Sequence, residues 1–201
     1  MTAPRAVRAV IFDLDGTLTE PLLDFDAMRA EIGLPPGPIL EQLAHADDAT
    51  RARADEILRR HEREAIARAT LADGCAELLA RLAALGIPAA ILTRNVREVV
   101  EIFARTFGFS FAAVYTREDG PHKPSPAGVF ALCEKMGAAP AETLVVGDYK
   151  FDILAGRAAG CSTALVLGTH RPTPEELPDW GPPDLVITSL RELLPRFASP
   201  A

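Results

Sequence analysis

Long apolar runs are absent from this 201-residue sequence. No stretch approaches the roughly 18 to 20 apolar residues that a membrane-spanning helix requires. Near the N-terminus, Asp13 and Asp15 interrupt the short apolar run at residues 10–12, which argues against a signal-peptide core. We therefore expect a protein of the cytoplasm with no membrane partner.

Cysteine is scarce as well. The three cysteines (Cys75, Cys133 and Cys161) are odd in number, widely spaced and without a CxxC pair. This pattern excludes a disulfide framework and a zinc knuckle. We interpret all three as small buried hydrophobic residues.

Positive charge is in deficit, with a formal net charge of −7 and a pI near 5.1. Phosphate backbones select basic surfaces, so we expect no nucleic-acid partner. A small phosphorylated substrate is still compatible with this charge, because a bound cation or a few basic residues can reverse the local field. The content of 48% hydrophobic and 24% charged residues is typical of a soluble globular protein.

Short apolar runs bounded by turn residues recur along the chain. They predict strands at residues 7–12, 88–92, 111–115, 143–146, 163–167 and 184–187. The runs are continuous rather than alternating, which is typical of strands covered on both faces. Helical patterns separate most of them, including 75–85 and a helix to Phe107 for which Asn95 and Glu98 resemble a capping pair. This alternation predicts an α/β fold with a doubly wound, mainly parallel, Rossmann-like sheet.

Residues 19–72 break the alternation, because they contain helical patterns and no strand. A parallel crossover needs only about a dozen residues. We therefore predict a small all-helical cap at 19–72, inserted after the first strand of a catalytic core made of 1–18 and 73–201.

Carboxylates follow two of the predicted strands. Asp13 and Asp15 close the first strand, and Asp148 and Asp152 follow the strand at 143–146. Ligands of open α/β sheets gather at the carboxyl ends of the strands, and Mg²⁺ prefers oxygen ligands. Taken alone, the first pair could be a solvated acidic turn, and Asp152 could simply cap a helix.

Phosphate-binding candidates follow the other strands. Thr93, Arg94 and Asn95 come after the strand at 88–92, where a hydroxyl and backbone amides at a helix start can hold an anion. Ordinary helix capping is the alternative. Lys123 lies in a proline-rich loop, and its compact positive charge suits a phosphate or a carboxylate.

The chain resembles the haloacid dehalogenase superfamily, whose four motifs it matches in order and spacing. The matching residues are the segment from Asp13 to Thr17, then Thr93, Lys123, and the pair Asp148 and Asp152. The predicted cap is similar to that of the phosphoglycolate phosphatase subgroup. The resemblance implies a phosphatase that acts on a small phosphorylated metabolite through an aspartyl-phosphate intermediate.

The resemblance also implies roles for these residues. Asp13 would be the nucleophile and Asp15 the general acid and base. Thr93 and Lys123 would hold the phosphoryl group. The implied Mg²⁺ ligands are Asp13, Asp15 (through its backbone carbonyl) and Asp148, with Asp152 orienting the set.

Individual residues of this sequence argue against other activities found in the superfamily. The acidic residue at Asp15 disfavours a dehalogenase, and the lack of lysine between Leu18 and Leu85 disfavours a Schiff-base phosphonate hydrolase. A sugar phosphomutase stays open as the alternative, because it shares the aspartyl-phosphate chemistry. A catalytically silent binding protein is disfavoured, since no motif residue is missing.

Two features leave the substrate and the site entrance open. Tyr149 and Lys150 stand where the superfamily commonly has small residues; they would either contact substrate or pack. Any of several cap residues could choose the substrate, although most are expected on solvated helix surfaces: Arg29, His45, Arg51, Arg53, Arg59, Arg60, His61 and Arg63. The sequence does not indicate an oligomeric state.

Overall fold

A computed structural model of the chain describes residues 7–21, 23–168 and 180–197. The strands are β1 (Ala9–Phe12), β2 (Ala89–Leu92), β3 (Ala113–Tyr115), β4 (Thr143–Gly147), β5 (Ser162–Val166) and β6 (Leu185–Ile187). The helices are α1 (Phe25–Ile32), α2 (Ile39–Leu43), α3 (Asp48–Ile66), α4 (Cys75–Ala84), α5 (Arg97–Phe107), α6 (Ala127–Met136) and α7 (Lys150–Ala159). Short 3₁₀ helices lie at Pro140–Glu142 and Leu190–Phe197.

The six strands form one sheet in the order β3-β2-β1-β4-β5-β6, and every neighbouring pair is parallel. The chain therefore winds outward from β1 in one direction through β2 and β3, and in the other through β4 to β6. The prediction of a doubly wound α/β sheet is confirmed, and all six predicted strands lie within one or two residues of their observed bounds. The reversal of strand order leaves a crevice at the carboxyl ends of β1 and β4, where such sheets bind ligands.

The central strands are buried on both faces. Residues of both parities in β1, such as Ile11 and Phe12, are fully buried. Ile11 belongs to a core cluster with side chains of β2, β3, β4, α6 and α7. Burial of both strand faces explains why the apolar runs are continuous in sequence. All three cysteines are buried and free, as expected for small core residues.

The chain divides into two compact units. Of the described residues, those up to Pro21 and from Thr70 onward form the first, and residues 23–69 form the second. The second contains α1, α2 and α3 around its own apolar cluster, which includes Met28, Ile32 and Ile57.

The helical unit is shorter at both ends than the predicted insert at 19–72. The reason is that the two connecting segments pair with each other inside the first unit. Thr19 forms an antiparallel bridge with Leu71, and the Glu20 N–H donates to the Thr70 carbonyl at 3.0 Å. The predicted core also includes residues 1–6, 169–179 and 198–201, which lie outside the described residues.

The predicted capping pair for α5 is wrong. The helix begins at Arg97 after Val96, one residue later than a cap at Asn95 would place it. Its first N–H group is satisfied instead by Glu118, whose carboxylate accepts from the Arg97 N–H at 2.8 Å. A carboxylate from a distant loop thus does the work expected of a local cap.

Within the described part of the chain, no helix combines the length and apolarity required to cross a bilayer.

Phe103 offers a test of this core. Its ring is fully buried on α5 and contacts the rings of Phe107, Phe109 and Phe111. Phe103→Ala should lower the free energy of unfolding by about 3–5 kcal/mol, because it leaves a cavity. Phe130→Ala is the matched control, since Phe130 is 47% exposed and its loss should cost well under about 1 kcal/mol. Urea denaturation measures both, and equal losses would contradict the assigned core.

Candidate active site

The turn after β1 presents Asp13 and Asp15 to solvent and buries Leu14. Both aspartates are partly exposed, whereas Leu14 is almost fully buried. The Leu14 carbonyl accepts from the N–H groups of Leu18 and Thr19 at 3.0 and 3.1 Å, which closes a tight turn. The two-residue strand period therefore continues through Asp15, as the spacing predicts.

Gly16 brings this turn against the neighbouring strand end. Its φ of +77° lies in the left-handed region that favours glycine. A Cβ atom at this position would lie 2.3 Å from Asp148 Oδ2. The close approach of the backbone to a carboxylate explains why a glycine follows Asp15.

Register places Asp148 beside Asp13. Phe12 of β1 pairs with Val146 of β4, and the Asp13 N–H donates to the Val146 carbonyl at 2.9 Å. Oxygen atoms of Asp13, Asp148 and Asp152 all lie within 4.8 Å of one another. The structure thus brings together the side chains of three of the four residues predicted for the metal site. The Asp15 side chain is not part of this group, which leaves its predicted backbone ligation as the way it could contribute.

Lys123 lies at the centre of these carboxylates. Its side chain is only 3% exposed, and its Nζ lies 2.7 Å from Asp13 Oδ1 and 2.5 Å from Asp152 Oδ1. Burial by itself would lower the pKa of this ammonium, but the charges of the two carboxylates outweigh it and raise the pKa. Lys123 therefore carries its positive charge at neutral pH.

Asp152 both caps the start of α7 and contacts the lysine. It lies in the first turn of α7, where its Oδ2 accepts from the Tyr149 N–H at 3.1 Å. Its other oxygen faces Lys123. Gly147 makes room for it, since a Cβ there would lie 2.1 Å from Asp152 Cγ. Helix capping and a role in the site, which the sequence presents as alternatives for Asp152, are thus combined in one side chain.

Asp148 is repelled by the neighbouring carboxylates. Burial and the negative charges of Asp13, Asp152 and Asp15 raise its pKa well above the ordinary value, and Lys123 only partly offsets them. Burial likewise raises the pKa of Asp152 to about 6 against the opposing effect of Lys123. One ammonium does not balance this group of carboxylates, so the site favours a proton or a further cation.

Thr93 and Asn95 follow β2 at the same edge of the sheet. Both are buried, and the Asn95 N–H donates to Thr93 Oγ1 at 3.1 Å. The Thr93 N–H donates to the Tyr115 carbonyl at 3.0 Å, which continues the ladder with β3. Arg94 lies between them and is partly exposed. Thr93 and Asn95 of the predicted phosphate-binding segment are therefore buried beside the end of β1, and Arg94 between them reaches solvent.

The Tyr149 ring packs against two other aromatic rings. Its ring contacts the rings of Phe151 and Trp180 edge-on at centroid distances of 5.0 and 5.2 Å. Trp180 is almost fully buried with Ile153 and Leu165. The sequence did not indicate these contacts, because Phe151 stands between the motif residues Asp148 and Asp152 without a role of its own and Trp180 lies outside every motif. The single tryptophan of the chain was the available signal.

The candidate specificity residues of the helical unit include members of an internal ion-pair network. Arg60 and His61 contact Glu31, with His61 Nε2 2.9 Å from Glu31 Oε2. Other pairs join Arg29 to Asp26, Arg51 to Asp48 and Arg59 to Asp55. Partly exposed pairs of this kind are typical of helix surfaces.

Comparison with known proteins assigns the family. Residues 21–166 match the family described as haloacid dehalogenase-like hydrolase. A haloacid dehalogenase-like hydrolase domain-containing protein of Arabidopsis thaliana is 34% identical over 205 residues, which cover 95% of this chain and 84% of the relative. The chain belongs to the haloacid dehalogenase-like hydrolase family. The predicted resemblance is thereby confirmed, and the protein is a hydrolase.

Two further relatives extend the comparison. A phosphoglycolate phosphatase of Xanthomonas campestris is 32% identical over 190 residues, covering 83% of this chain and 86% of the relative. Among solved structures, a hydrolase from Pseudomonas syringae superposes with a TM-score of 0.80 at 24% identity, covering 94% of this chain and 96% of the other. The second match shows that the two proteins share a fold.

A divalent cation fits the carboxylate group. Hard oxygen donors from Asp13 and Asp148 are the kind that Mg²⁺ binds, usually with several waters retained. The raised pKa of Asp148 indicates that an added positive charge would relieve repulsion in the folded protein. The donor set and its excess of negative charge therefore suit a hard divalent cation.

The carboxylate conflict predicts how stability depends on pH. Because the fold raises the pKa of Asp148, its stabilising contribution is present below its ordinary pKa of 3.8 and is lost as pH rises through the raised value. Without metal, Asp148→Asn should therefore gain stability relative to wild type between pH 5 and pH 8. Mg²⁺ at pH 8 should raise the melting temperature of wild type more than that of the variant.

Thermal unfolding in chelator-treated buffer measures the first effect, and the same measurement with excess Mg²⁺ at pH 8 measures the second. Glu101→Gln, which removes an exposed carboxylate on α5, is the control and should follow wild type at each pH. A melting-temperature difference between Asp148→Asn and wild type that does not change with pH would contradict the assigned conflict.

Proposed function

We propose that this hydrolase is a Mg²⁺-dependent phosphatase that cleaves a small phosphate monoester through an aspartyl-phosphate intermediate. The observation that carries the proposal is the buried Lys123 ammonium, 2.7 Å from the partly exposed carboxylate of Asp13. A cation at this position can neutralise both the nucleophile and an incoming phosphoryl group. The match to a phosphoglycolate phosphatase over most of both chains supports the same class of reaction.

The first chemical step belongs to Asp13. One of its oxygens attacks phosphorus, the bond from phosphorus to the ester oxygen breaks, and Asp13 becomes an acyl phosphate. Asp15 donates a proton to the departing oxygen, so the product leaves as a neutral alcohol. The turn that buries Leu14 presents both carboxylates to solvent for these tasks.

The second step reverses the role of Asp15. As a carboxylate it takes a proton from water, the water oxygen attacks phosphorus, and phosphate departs as the Asp13 carboxylate is restored. Thr93 and the adjacent backbone amides would hold phosphoryl oxygens. Asp13, the Asp15 carbonyl and Asp148 would bind Mg²⁺, which supplies positive charge against the phosphoryl oxygens when bound.

A substrate panel tests the proposal. Purified protein should release phosphate from small phosphorylated metabolites with Mg²⁺ present, and chelator should abolish the release reversibly. Full activity in a metal-free preparation would overturn the metal assignment. A hexose 1-phosphate with a bisphosphate primer serves as the control for a phosphomutase, which would return isomerised sugar phosphate instead of free phosphate.

Substitutions of the first motif separate its two carboxylates. Asp13→Asn removes the nucleophile and should leave neither turnover nor trapped phosphoenzyme. Asp15→Asn keeps the nucleophile but removes the proton transfer, a loss of roughly 10²- to 10⁴-fold in rate. Rapid-quench trapping with radiolabelled substrate should find phosphoenzyme in Asp15→Asn when the leaving group is good. Substantial turnover by Asp13→Asn would disprove the mechanism.

Lys123 and Lys135 form a matched pair. Lys123→Ala should lower kcat by roughly 10²- to 10³-fold, because it removes a preorganised charge from the reaction centre. Lys135 lies in the last turn of α6, and its alanine variant should keep full activity. Steady-state kinetics measures both, and circular dichroism establishes that the variants are folded. Equal effects would show that Lys123 is not part of the site.

A further inference from the structure

Two cations meet one aromatic ring at the edge of the candidate site. The Arg94 guanidinium carbon lies 4.4 Å from the centroid of the Phe151 ring. The Lys150 ammonium lies 5.8 Å from the same centroid and 5.8 Å from that of Tyr149. The mechanism proposed above uses neither Lys150 nor Phe151.

The strand order places this cation pair beside the nucleophile. Arg94 follows β2, while Lys150 and Phe151 open α7 after β4. Both strands flank β1, at whose end Asp13 lies. The contact between Arg94 and Phe151 therefore joins the loops on either side of the reaction centre.

The cations are held in place but still reach solvent. Contact with an aromatic face attracts a cation and limits its freedom. Phe151 itself packs edge-on against Tyr149, whose ring is fixed by the buried Trp180. Arg94, Lys150 and Phe151 are each partly exposed. A dissolved anion can therefore approach a pair of side chains that is already positioned.

Charge balance points to an anionic ligand. The chain carries a net charge of −7, yet two cations share one ring here, and like charges brought together repel. Within the described ranges, no carboxylate forms an ion pair with the Lys150 ammonium. Lys123 differs in this respect, because Asp13 and Asp152 already neutralise it.

We propose that Arg94 and Lys150, positioned by Phe151, bind a second anionic group of the substrate. The substrate class is then a phosphate monoester that also carries a carboxylate or a second phosphoryl group. Arginine suits both groups through paired N–H donors, and lysine adds a point charge. The inference rests on the proposed phosphatase function and makes Arg94 a specificity residue, in place of a ligand of the transferred phosphoryl group.

Three two-carbon substrates test this class. Ethyl phosphate, phosphoglycolate and ethylene glycol bisphosphate share a phosphate ester on one carbon. Their second carbon is a methyl, a carboxylate or a methylene that carries a second phosphate ester. At least one of the two anionic substrates should have a kcat/KM roughly 10- to 100-fold higher than that of ethyl phosphate. The preferred one identifies the second group. Equal kcat/KM for all three would overturn the inference while leaving the phosphatase function intact.

Variants then assign the preference to residues. Arg94→Gln and Lys150→Gln should each reduce the ratio of kcat/KM between the preferred anionic substrate and ethyl phosphate by about 10-fold or more. Phe151→Leu keeps the bulk, loses the aromatic face and should reduce the ratio mainly through KM. Lys135→Gln is the control and should leave the ratio unchanged. An unchanged ratio in both cation variants would overturn the inference.

A binding measurement separates this inference from the proposed function. Calorimetric titration of Asp13→Asn with ethyl phosphate and with each anionic substrate, in Mg²⁺, needs no turnover. Tighter binding of an anionic substrate, lost on adding Lys150→Gln, upholds the second anion site even if no substrate is hydrolysed. Equal binding of all three refutes the site, whereas absence of hydrolysis refutes the phosphatase function.

Discussion

The ammonium of Lys123, buried between Asp13 and Asp152, is the interaction on which the candidate site depends. It joins the end of β1 to the first turn of α7 through a loop that follows β3. Removal of one member of such a buried set leaves uncompensated charge and typically costs about 3–5 kcal/mol. The same contact therefore positions the nucleophile and holds three segments of the chain together.

Negative charge exceeds positive charge around this lysine. Three carboxylates share one ammonium, and the folded protein raises the pKa of Asp148 as a result. Repulsion among these carboxylates lowers the stability of the folded protein, and groups with perturbed pKa values of this kind are concentrated at functional sites. The excess is the physical reason why a divalent cation fits between the ends of β1 and β4.

A second concentration of charge follows β2 and β4, the strands on either side of β1. Arg94 and Lys150 gather positive charge on the ring of Phe151, in a chain whose net charge is negative. The carboxylates and these cations differ in sign, so they would receive different ligands. A phosphate monoester with a second anionic group is the class of molecule that could engage both.

The sequence alone determined the architecture and the inventory of the site. Continuous apolar runs predicted the six strands, and the central ones are continuous because a strand covered on both faces has no polar side. The strand-end rule placed Asp13, Lys123 and Asp148 at one edge of the sheet. Local sequence patterns gave a wrong helix cap where the partner of a backbone N–H lies far away in the sequence. At the start of α5 that partner is the Glu118 carboxylate.

Tertiary structure decided the contacts between residues far apart in the chain. Only the fold joins Lys123 to Asp152, packs Tyr149 on Trp180 and brings Arg94 onto Phe151. These partners follow no local spacing rule, because each contact bridges separate strand ends or loops. The sequence identifies which residues carry charge, whereas the order of the strands in the sheet determines which of them come into contact.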